Sequence, residues 1–326
     1  MVLRKLVKLH NLARDNFIQN QKSDFIGLFC MRNNLNNKKV IWYNNVGDDI
    51  MKINLHTHSN YSLDGELDVN NLINILKKNK FDIISITDHN TCEAYKYIKQ
   101  NLDIKIITGI EADAIVNNHT YDFLCYNFKL DEIDKYTKEK YESTEKRQRK
   151  IFNALVEIAQ KNEIELFNTE SYNANKEYAH AAIFRMLNND FLKKYNIQNV
   201  NDLYRIATND SNFPLYLDMH IVWPDIKELS ALIHKNNGKV FIAHPYRYNR
   251  DILEVLEEVK EYVDGIEICN NPNSKQEVDF LYTYAKENSL LVSCGSDYHG
   301  NSRDSLDSNY LTDEMLNDIR NWIFEE

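Results

Sequence analysis

The chain has 326 residues, 43% hydrophobic and 11% aromatic, with a formal charge of 39 − 49 = −10. This supplies a core for one large domain or two ordinary ones and excludes a broad basic surface for duplex nucleic acid. Glycine and proline number only 8 and 4, well below the roughly 12% the two average together, which excludes collagen-like, Gly/Ser-linker and Pro-rich classes and makes the place of each glycine informative.

Cysteine is odd in number, at five (Cys30, Cys92, Cys125, Cys269 and Cys294), with no CxxC pair. The expectation is a protein of the reducing cytoplasm, with no disulfide framework or zinc ribbon. No apolar run approaches the ~20 residues of a membrane span, so no span is expected. Residues 1–50 carry 8 Lys/Arg against 4 Asp/Glu, or +4, leaving −14 for 51–326. They read as an N-terminal extension of unknown role. It has a short amphipathic helix around Leu3, Leu6 and Val7 and a hairpin of Phe25–Met31 with Val40–Tyr43. The change of character at Met51 also suits a natural start there.

From Met51 strands and helices alternate. Lys52–Leu55 is predicted as a strand. Asp68 caps a helix with apolar Val69, Leu72, Ile73 and Leu76. Asp82–Ile86 is a strand, Cys92–Gln100 a helix, and Ile104–Ile107 and Tyr121–Phe128 are strands. Residues 129–237 change pattern to helix-rich and polar, ending in a helix from Pro224 to Asn237 with Gly238 past its end. Strand Lys239–Ala243, helix Ile252–Tyr262, strand Gly265–Ile268, helix Lys275–Glu287, strand Leu290–Ser293 and helix Asp313–Ile323 follow. Repeated β–α units imply a parallel α/β sheet or barrel. The expected division is therefore a barrel in two parts, 51–128 and 238–326, with the 129–237 segment inserted as a cap over the site or a subdomain.

The chain has ten histidines, and the informative ones cluster by topology. His56 and His58 end the first predicted strand, and a spacing of two puts both on one face of an extended segment, where they can share a metal. Asp64-Gly65, Asp88-His89, Glu111, His244 and Asp297-x-His299 each follow a predicted strand. In an α/β barrel those ends converge at the face where active sites are built. The pattern predicts a multinuclear metal site. Histidine and carboxylate without cysteine suits Zn²⁺, Mn²⁺ or Fe²⁺.

His56-Thr57-His58-Ser59, Asp64-Gly65, Thr87-Asp88-His89-Asn90, Gly109-Ile110-Glu111, Ala243-His244-Pro245 and Gly295-Ser296-Asp297-Tyr298-His299 together resemble the PHP (polymerase and histidinol phosphatase) domain, over roughly residues 51–305. The resemblance implies a distorted (β/α)₇ barrel carrying a trinuclear phosphoesterase site, with two or three divalent ions bound per chain. It places a first metal on His56, His58, Glu111 and Asp297, a second on Glu111 and His244, and a third on Asp64, His89 and His299. Where the family has a further ligand histidine, Asp122 stands in register, with His119 as the alternative. A carboxylate there favours Mn²⁺ or Fe²⁺. Asp297 and His299 are the candidates for proton transfer to and from the reacting groups.

The insertion resembles the cap of nucleoside 3′,5′-bisphosphate phosphatases and of 5′–3′ exoribonucleases that trim short RNA. Their Arg-Pro-His-x-Ala-Arg segment is matched here by Tyr178-Ala179-His180-Ala181-Ala182-Ile183-Phe184-Arg185. His180 and Arg185 are therefore candidate phosphate contacts, as is Arg247 beside His244. His180 also reads as a capping or core histidine. Glu267 is placed to orient a ligand histidine. The expected substrate is a small phosphorylated metabolite or a short nucleic-acid end. Histidinol phosphate is the rival substrate, and a non-catalytic metal-binding accessory module is the rival class. The basic run Lys146–Lys150 reads as a solvated helix face before a nucleic-acid contact.

Overall fold

A computed structural model describes residues 51–324 except 100–101, 249, 271–272, 301–304 and 307–309. The expected extension over 1–50 lies outside the described residues. Strands β1 (Ile53–Asn54), β2 (Ile83–Ser85) and β3 (Lys105–Ile107) pair in parallel. Strands β4 (Gly109–Val116), β5 (His119–Tyr126), β6 (Lys239–Ile242), β7 (Gly265–Cys269) and β8 (Leu291–Cys294) form a second ladder in that order. The two ladders join at both edges. Leu55 N donates to Cys294 O at 2.9 Å and His58 N to Tyr298 O at 2.8 Å on one side, while Asn90 N donates to Glu111 O at 2.8 Å on the other. With β3 and β4 taken as one strand bent at Thr108, the hydrogen bonding runs round a distorted seven-stranded ring.

Helices cover the ring. α1 (Val69–Lys78) starts where expected, because the Asp68 carboxylate accepts from Asn70 N and Asn71 N at 3.0 Å each and so satisfies two orphan donors of the first turn. Its stripe of Val69, Leu72, Ile73 and Leu76 is buried, each side chain contributing about 1.5–3 kcal/mol. The segment from β5 to β6 holds α2 (Leu130–Lys140), α3 (Thr144–Lys161), α4 (Ala179–Met186), α5 (Asn189–Lys194), α6 (Val200–Asn209) and α7 (Ile226–Lys235), with no named strand. These helices occupy the stretch where the sequence pattern turns helix-rich after 129. α8 (Ile252–Val259), α9 (Lys275–Glu287) and α10 (Asp313–Phe324) complete the outer layer.

Three expectations are corrected. Glu111 follows β3 but lies inside a further strand, β4, an eight-residue strand missed in sequence because only Asp113 of it is not fully buried, so no polar alternation marks it. β5 runs antiparallel to both its neighbours, so the sheet is mixed. The turn between β4 and β5 is Asn117-Asn118, with φ of 48° and 67°, the left-handed pair that a two-residue hairpin requires. The predicted helix Cys92–Gln100 is a short 3₁₀ segment, Glu93–Tyr97. Tyr95 Oη within it donates to Ile86 O at 2.8 Å and Ile107 O at 3.0 Å, which ties the segment to the strand ends.

One glycine is required by close approach. A Cβ on Gly295, just past β8, would meet His56 Cβ at 2.1 Å and His56 N at 2.5 Å, distances no neighbour can absorb without moving the backbone. Gly295→Ala is expected to push the His56 strand out of line, lowering both thermal stability and metal content. Unchanged melting temperature and metal content would refute the packing argument.

Candidate metal centre

The ring brings the expected residues to one end. β1 delivers His56 and His58 just past its end, β2 delivers Asp88 and His89, β6 delivers His244, and β8 delivers Asp297 and His299. Asp122 reaches this end from within β5 because that strand is reversed: the start of β5 lies beside the far end of β4, and Asp122 is paired with Asp113. Glu111 and Asp113, two apart, share a strand face. His244 and Asp297 have φ of 27° and 55°, so backbone strain of the kind that collects at functional sites is present here.

Donor atoms fall into groups that lie mutually within 4.8 Å: His56, His58, Glu111 and Asp297; then His58, His89 and His299; then Glu111, Asp122 and His244. In the first, His56 Nε2 and His58 Nε2 are 3.1 Å apart. Glu111 Oε2 is 3.2 Å from each of them and 3.2 Å from His89 Nδ1. Asp297 Oδ1 is 3.2 Å from His56 Nε2 and 3.0 Å from His58 Nε2. Asp64 Oδ2 sits farther out, 3.8 Å from His89 Nε2 and 3.6 Å from His299 Nε2.

The outer nitrogens decide what these imidazoles can do. His56 Nδ1 donates to Glu267 Oε1 at 2.9 Å, and His299 Nδ1 to the Asp297 carbonyl at 2.8 Å. His58 Nδ1 donates to Ser62 Oγ at 3.1 Å, and Ser62 Oγ passes its own proton to Asp88 Oδ1 at 2.9 Å. Asp88 also takes Ser59 N and Ser59 Oγ, at 2.7 and 2.6 Å. With Nδ1 protonated in each ring, the Nε2 lone pairs point inward. Glu111 Oε2, buried, receives no hydrogen bond although three ring nitrogens surround it. Converging lone pairs around an orphaned carboxylate oxygen need a cation at their centre, so the donor set fits a divalent metal.

The electrostatics agree. Burial opposes charge on His56, but Glu111, Glu267 and Asp297 outweigh it and hold its pKa well above the usual value. His58 is pushed up to about 10 against its own burial by Asp297 and Glu111. Burial likewise opposes the charges of Glu111 and Asp297, yet His56 and its neighbours hold both carboxyls well below the usual range. A site that would otherwise collect protons is a site that attracts a metal.

Other predicted residues are placed as follows. His119 points away from this end, with Nδ1 on Glu258 Oε1 at 2.9 Å. Arg247 lies against Asp297 Oδ2 and donates to Asn270 Oδ1 at 2.6 Å, so it reaches the face through the Asp297 carboxylate. His180 is buried edge-on to Tyr204, 5.0 Å between ring centres, and burial pulls its pKa down to about 4. It is therefore a neutral imidazole that supplies no positive charge. Arg185 is held by Glu177 Oε1 at 2.7 Å and Ser171 Oγ at 3.1 Å on an exposed surface, and no contact joins it to the donor groups among the described residues. In the basic run, Arg147 is buried with Nη1 on Tyr141 O at 2.7 Å, which removes one charge from any surface patch, while the exposed Lys150 donates Nζ to Ile221 O at 2.7 Å.

Sequence reasoning missed the Ser62–Asp88 relay, although Asp88 lay inside a quoted motif. It also missed Arg205 of α6, whose Nη2 donates to Asp122 Oδ2 at 3.0 Å. Asp113 is a further buried carboxyl here, pushed up to about 7 by burial and by Asp122 beside it.

The PHP domain family matches residues 54–288. The chain belongs to the PHP domain family. It is thus a hydrolase acting on phosphate ester bonds, and the metal-dependent character of that family accords with the donor groups above. Among curated proteins it is similar to the 5′-3′ exoribonuclease of Haemophilus influenzae, 22% identical over 268 residues covering 76% of this chain and 90% of the relative. It is also similar to the 5′-3′ exoribonuclease Rnm of Escherichia coli, 23% identical over 256 residues covering 75% of this chain and 84% of that one. Among solved structures, a protein described as a metal-dependent phosphoesterase from Bifidobacterium adolescentis shares the fold with a TM-score of 0.53 at 20% identity, covering 84% of this chain and 97% of that one. An amidohydrolase from Chromobacterium violaceum with bound sulfate does so with a TM-score of 0.58 at 18% identity, covering 80% of this chain and 92% of that one. None of the helices in the described residues is long and apolar enough to cross a membrane.

Proposed function

We propose that this PHP phosphoesterase hydrolyses the phosphate ester of a nucleoside bisphosphate or of a short oligonucleotide end. The observation that carries this reading is the reach of the helical insertion onto the metal face. Tyr178 Oη donates to Asp64 Oδ1 at 3.2 Å, and Arg205 is paired with Asp122. A cap whose side chains touch the donor carboxylates restricts entry to ligands that thread between cap and ring. The exoribonuclease relatives support it further, since the match covers about three quarters of this chain.

His56, His58, Glu111 and Asp297 would hold one ion, and His89 and His299 beside His58, with Asp64 Oδ2 3.8 and 3.6 Å from their Nε2 atoms, would hold another, as Mn²⁺, Fe²⁺ or Zn²⁺. Divalent ions bound there supply an acidified water and neutralise the phosphate oxygens. The protein does the rest. Glu267 and the Ser62–Asp88 relay keep the ring nitrogens turned inward. Arg247 holds Asp297 Oδ2, so that Oδ1 stays on the histidines, and adds a positive charge beside the phosphate. His299, with Nδ1 fixed on the Asp297 carbonyl, commits its one lone pair, on Nε2, to the ion, and Asp297 has Oδ2 on Arg247, so neither group takes up a proton while the site is filled. The buried cysteines Cys92, Cys125, Cys269 and Cys294 suit a reducing compartment such as the cytoplasm.

A hydrolysis panel on the full chain, with Mn²⁺, Fe²⁺ or Zn²⁺ added, tests the reading by following inorganic phosphate from the monoesters and mononucleotides from the RNA. 3′,5′-Bisphosphonucleosides and short 5′-phosphorylated RNA are expected to turn over faster than histidinol phosphate. Preference for histidinol phosphate would replace the substrate class, and no metal-dependent turnover of any of them would leave an accessory module.

A further inference from the structure

The third donor group differs in kind from the other two. It combines Glu111, His244 and Asp122, and Asp122 stands where the family resemblance calls for a histidine. The Asp122 oxygen that lies toward His244, Oδ2, is 3.7 Å from His244 Nε2. That same oxygen takes the Arg205 guanidinium, at 3.0 Å.

Arg205 is fixed in this place. It is only 8% exposed, with its guanidinium carbon 4.5 Å from the Tyr248 ring centre and 5.1 Å from that of Tyr204. Tyr248 in turn receives Asp122 N on its Oη at 3.0 Å, so carboxylate, arginine and tyrosine form one packed unit. Burial works against the charge of Arg205, but Asp122 outweighs it and holds the group protonated even more firmly than usual. A permanent positive charge therefore sits on the oxygen a metal would need.

The histidine of this group is also prepared differently. His56, His58 and His299 each fix their outer nitrogen on a partner, which turns the inner lone pair toward the centre. His244 Nδ1 is buried and has no hydrogen-bond partner, while His244 Nε2 lies 2.9 Å from Glu111 Oε1. The arrangement that satisfies most atoms is Nε2–H donating to Glu111, because an orphaned lone pair on Nδ1 costs less than an orphaned N–H. In that tautomer His244 offers no lone pair to an ion.

We propose that the guanidinium of Arg205 is the resident cation of the second position, so that the chain binds two metals where the trinuclear pattern of the resemblance has three. The Asp122–Arg205 pair sums to zero charge, as a neutral histidine does. It restores the electrostatic balance of the position and keeps the cap helix α6 tied to β5, but it supplies a hydrogen-bonded ion pair in place of a ligand. The inference rests on reading this face as a metal centre, and it does not depend on which phosphate ester is cleaved.

Metal counting on the full chain tests it without any substrate. Dialysed to equilibrium against Mn²⁺, the native protein is expected to hold two ions per chain, and three would overturn the proposal. Asp122→Asn combined with Arg205→Met removes the pair without stranding a buried charge. Its count is expected to stay at the native value, and loss of one ion would show Asp122 to be a ligand and overturn the proposal. Asp122→His combined with Arg205→Met is expected to add one ion, and an unchanged count there also counts against it. Thermal melting of both variants confirms that folded protein is being counted, and the native count decides alone if either variant fails to fold. Should the protein hydrolyse none of the phosphate esters above, these counts would still stand, so the two readings fail separately.

Discussion

Replacing Glu111 by glutamine is expected to empty the first metal position and lower turnover by about a thousandfold, at the upper end of what loss of one preorganised charge costs in an active site. Glu111 faces more of the centre than any other side chain. Its Oε1 meets His244 at 2.9 Å, and its Oε2 meets His56, His58 and His89 at 3.2 Å each. Glutamine matches the shape but removes the charge that opposes an ion, and it turns one oxygen into a donor. With the amide nitrogen toward the three imidazoles, N–H groups point at the lone pairs meant for the metal. With it toward His244, the remaining oxygen is a weaker, neutral ligand. The check is metal content by elemental analysis beside kcat on a generic aryl phosphate. A variant that keeps its native metal content and loses less than tenfold in rate would show that Glu111 does not hold the ion.

The sequence made the repeating units legible because the two periodicities are physically distinct. α9 was expected over the residues it occupies, Lys275–Glu287, and its start is fixed by a reciprocal capping box between Ser274 and Glu277. α1 was expected from its Asp68 cap. β4 was not, since Gly109–Val116 is buried almost throughout and its small and acidic residues give no period of two. The Asn117-Asn118 turn was the one local signal of that hairpin. The donor residues were legible because histidines two apart on an extended segment, and acids following strands, have few other uses in such numbers. Glu267 was legible for the same reason: it lies on β7, between the strands that lead to the donor residues His244 and Asp297.

The rest of the site is made by contacts that no local pattern encodes. Arg205 meets Asp122 across 83 positions of sequence, and within α6 it reads as an ordinary polar helix residue. Its significance appears only once β5 is known to be reversed and α6 to pack over it. The phosphate contacts expected on α4 fared differently for the same reason. A motif fixes spacing along a helix, but neighbouring acids and rings decide where the side chains go. Arg185 found Glu177, and His180 was buried beside Tyr204. Tyr178, standing where the resemblance has an arginine, reaches the face with a hydroxyl in place of a charge.

Glu267→Gln is expected to weaken metal binding by about ten- to a hundredfold, the usual cost of removing an outer-shell partner, although Glu267 belongs to none of the three donor groups. Glu267 is fully buried, and its two oxygens serve two donors: His56 Nδ1 on Oε1 at 2.9 Å, and His244 N on Oε2 at 2.7 Å. A glutamine has one acceptor for these two. Its amide nitrogen cannot face the His244 backbone, because a peptide N–H has no alternative to donating. The amide nitrogen therefore turns to His56, whose ring can answer by moving its proton from Nδ1 to Nε2. That change relieves the clash and aims an N–H at the position where the first metal binds, so each ion must first displace a proton. Two readouts separate this from a general loosening of the fold. Competition with a chelator gives the affinity, and ¹⁵N chemical shifts of the metal-free variant, recorded at a pH high enough that the imidazole is neutral, give the His56 tautomer. Weaker binding together with an Nε2-protonated His56 is the expected pair, and native affinity with Nδ1 still protonated would show that Glu267 does not set the direction of that lone pair.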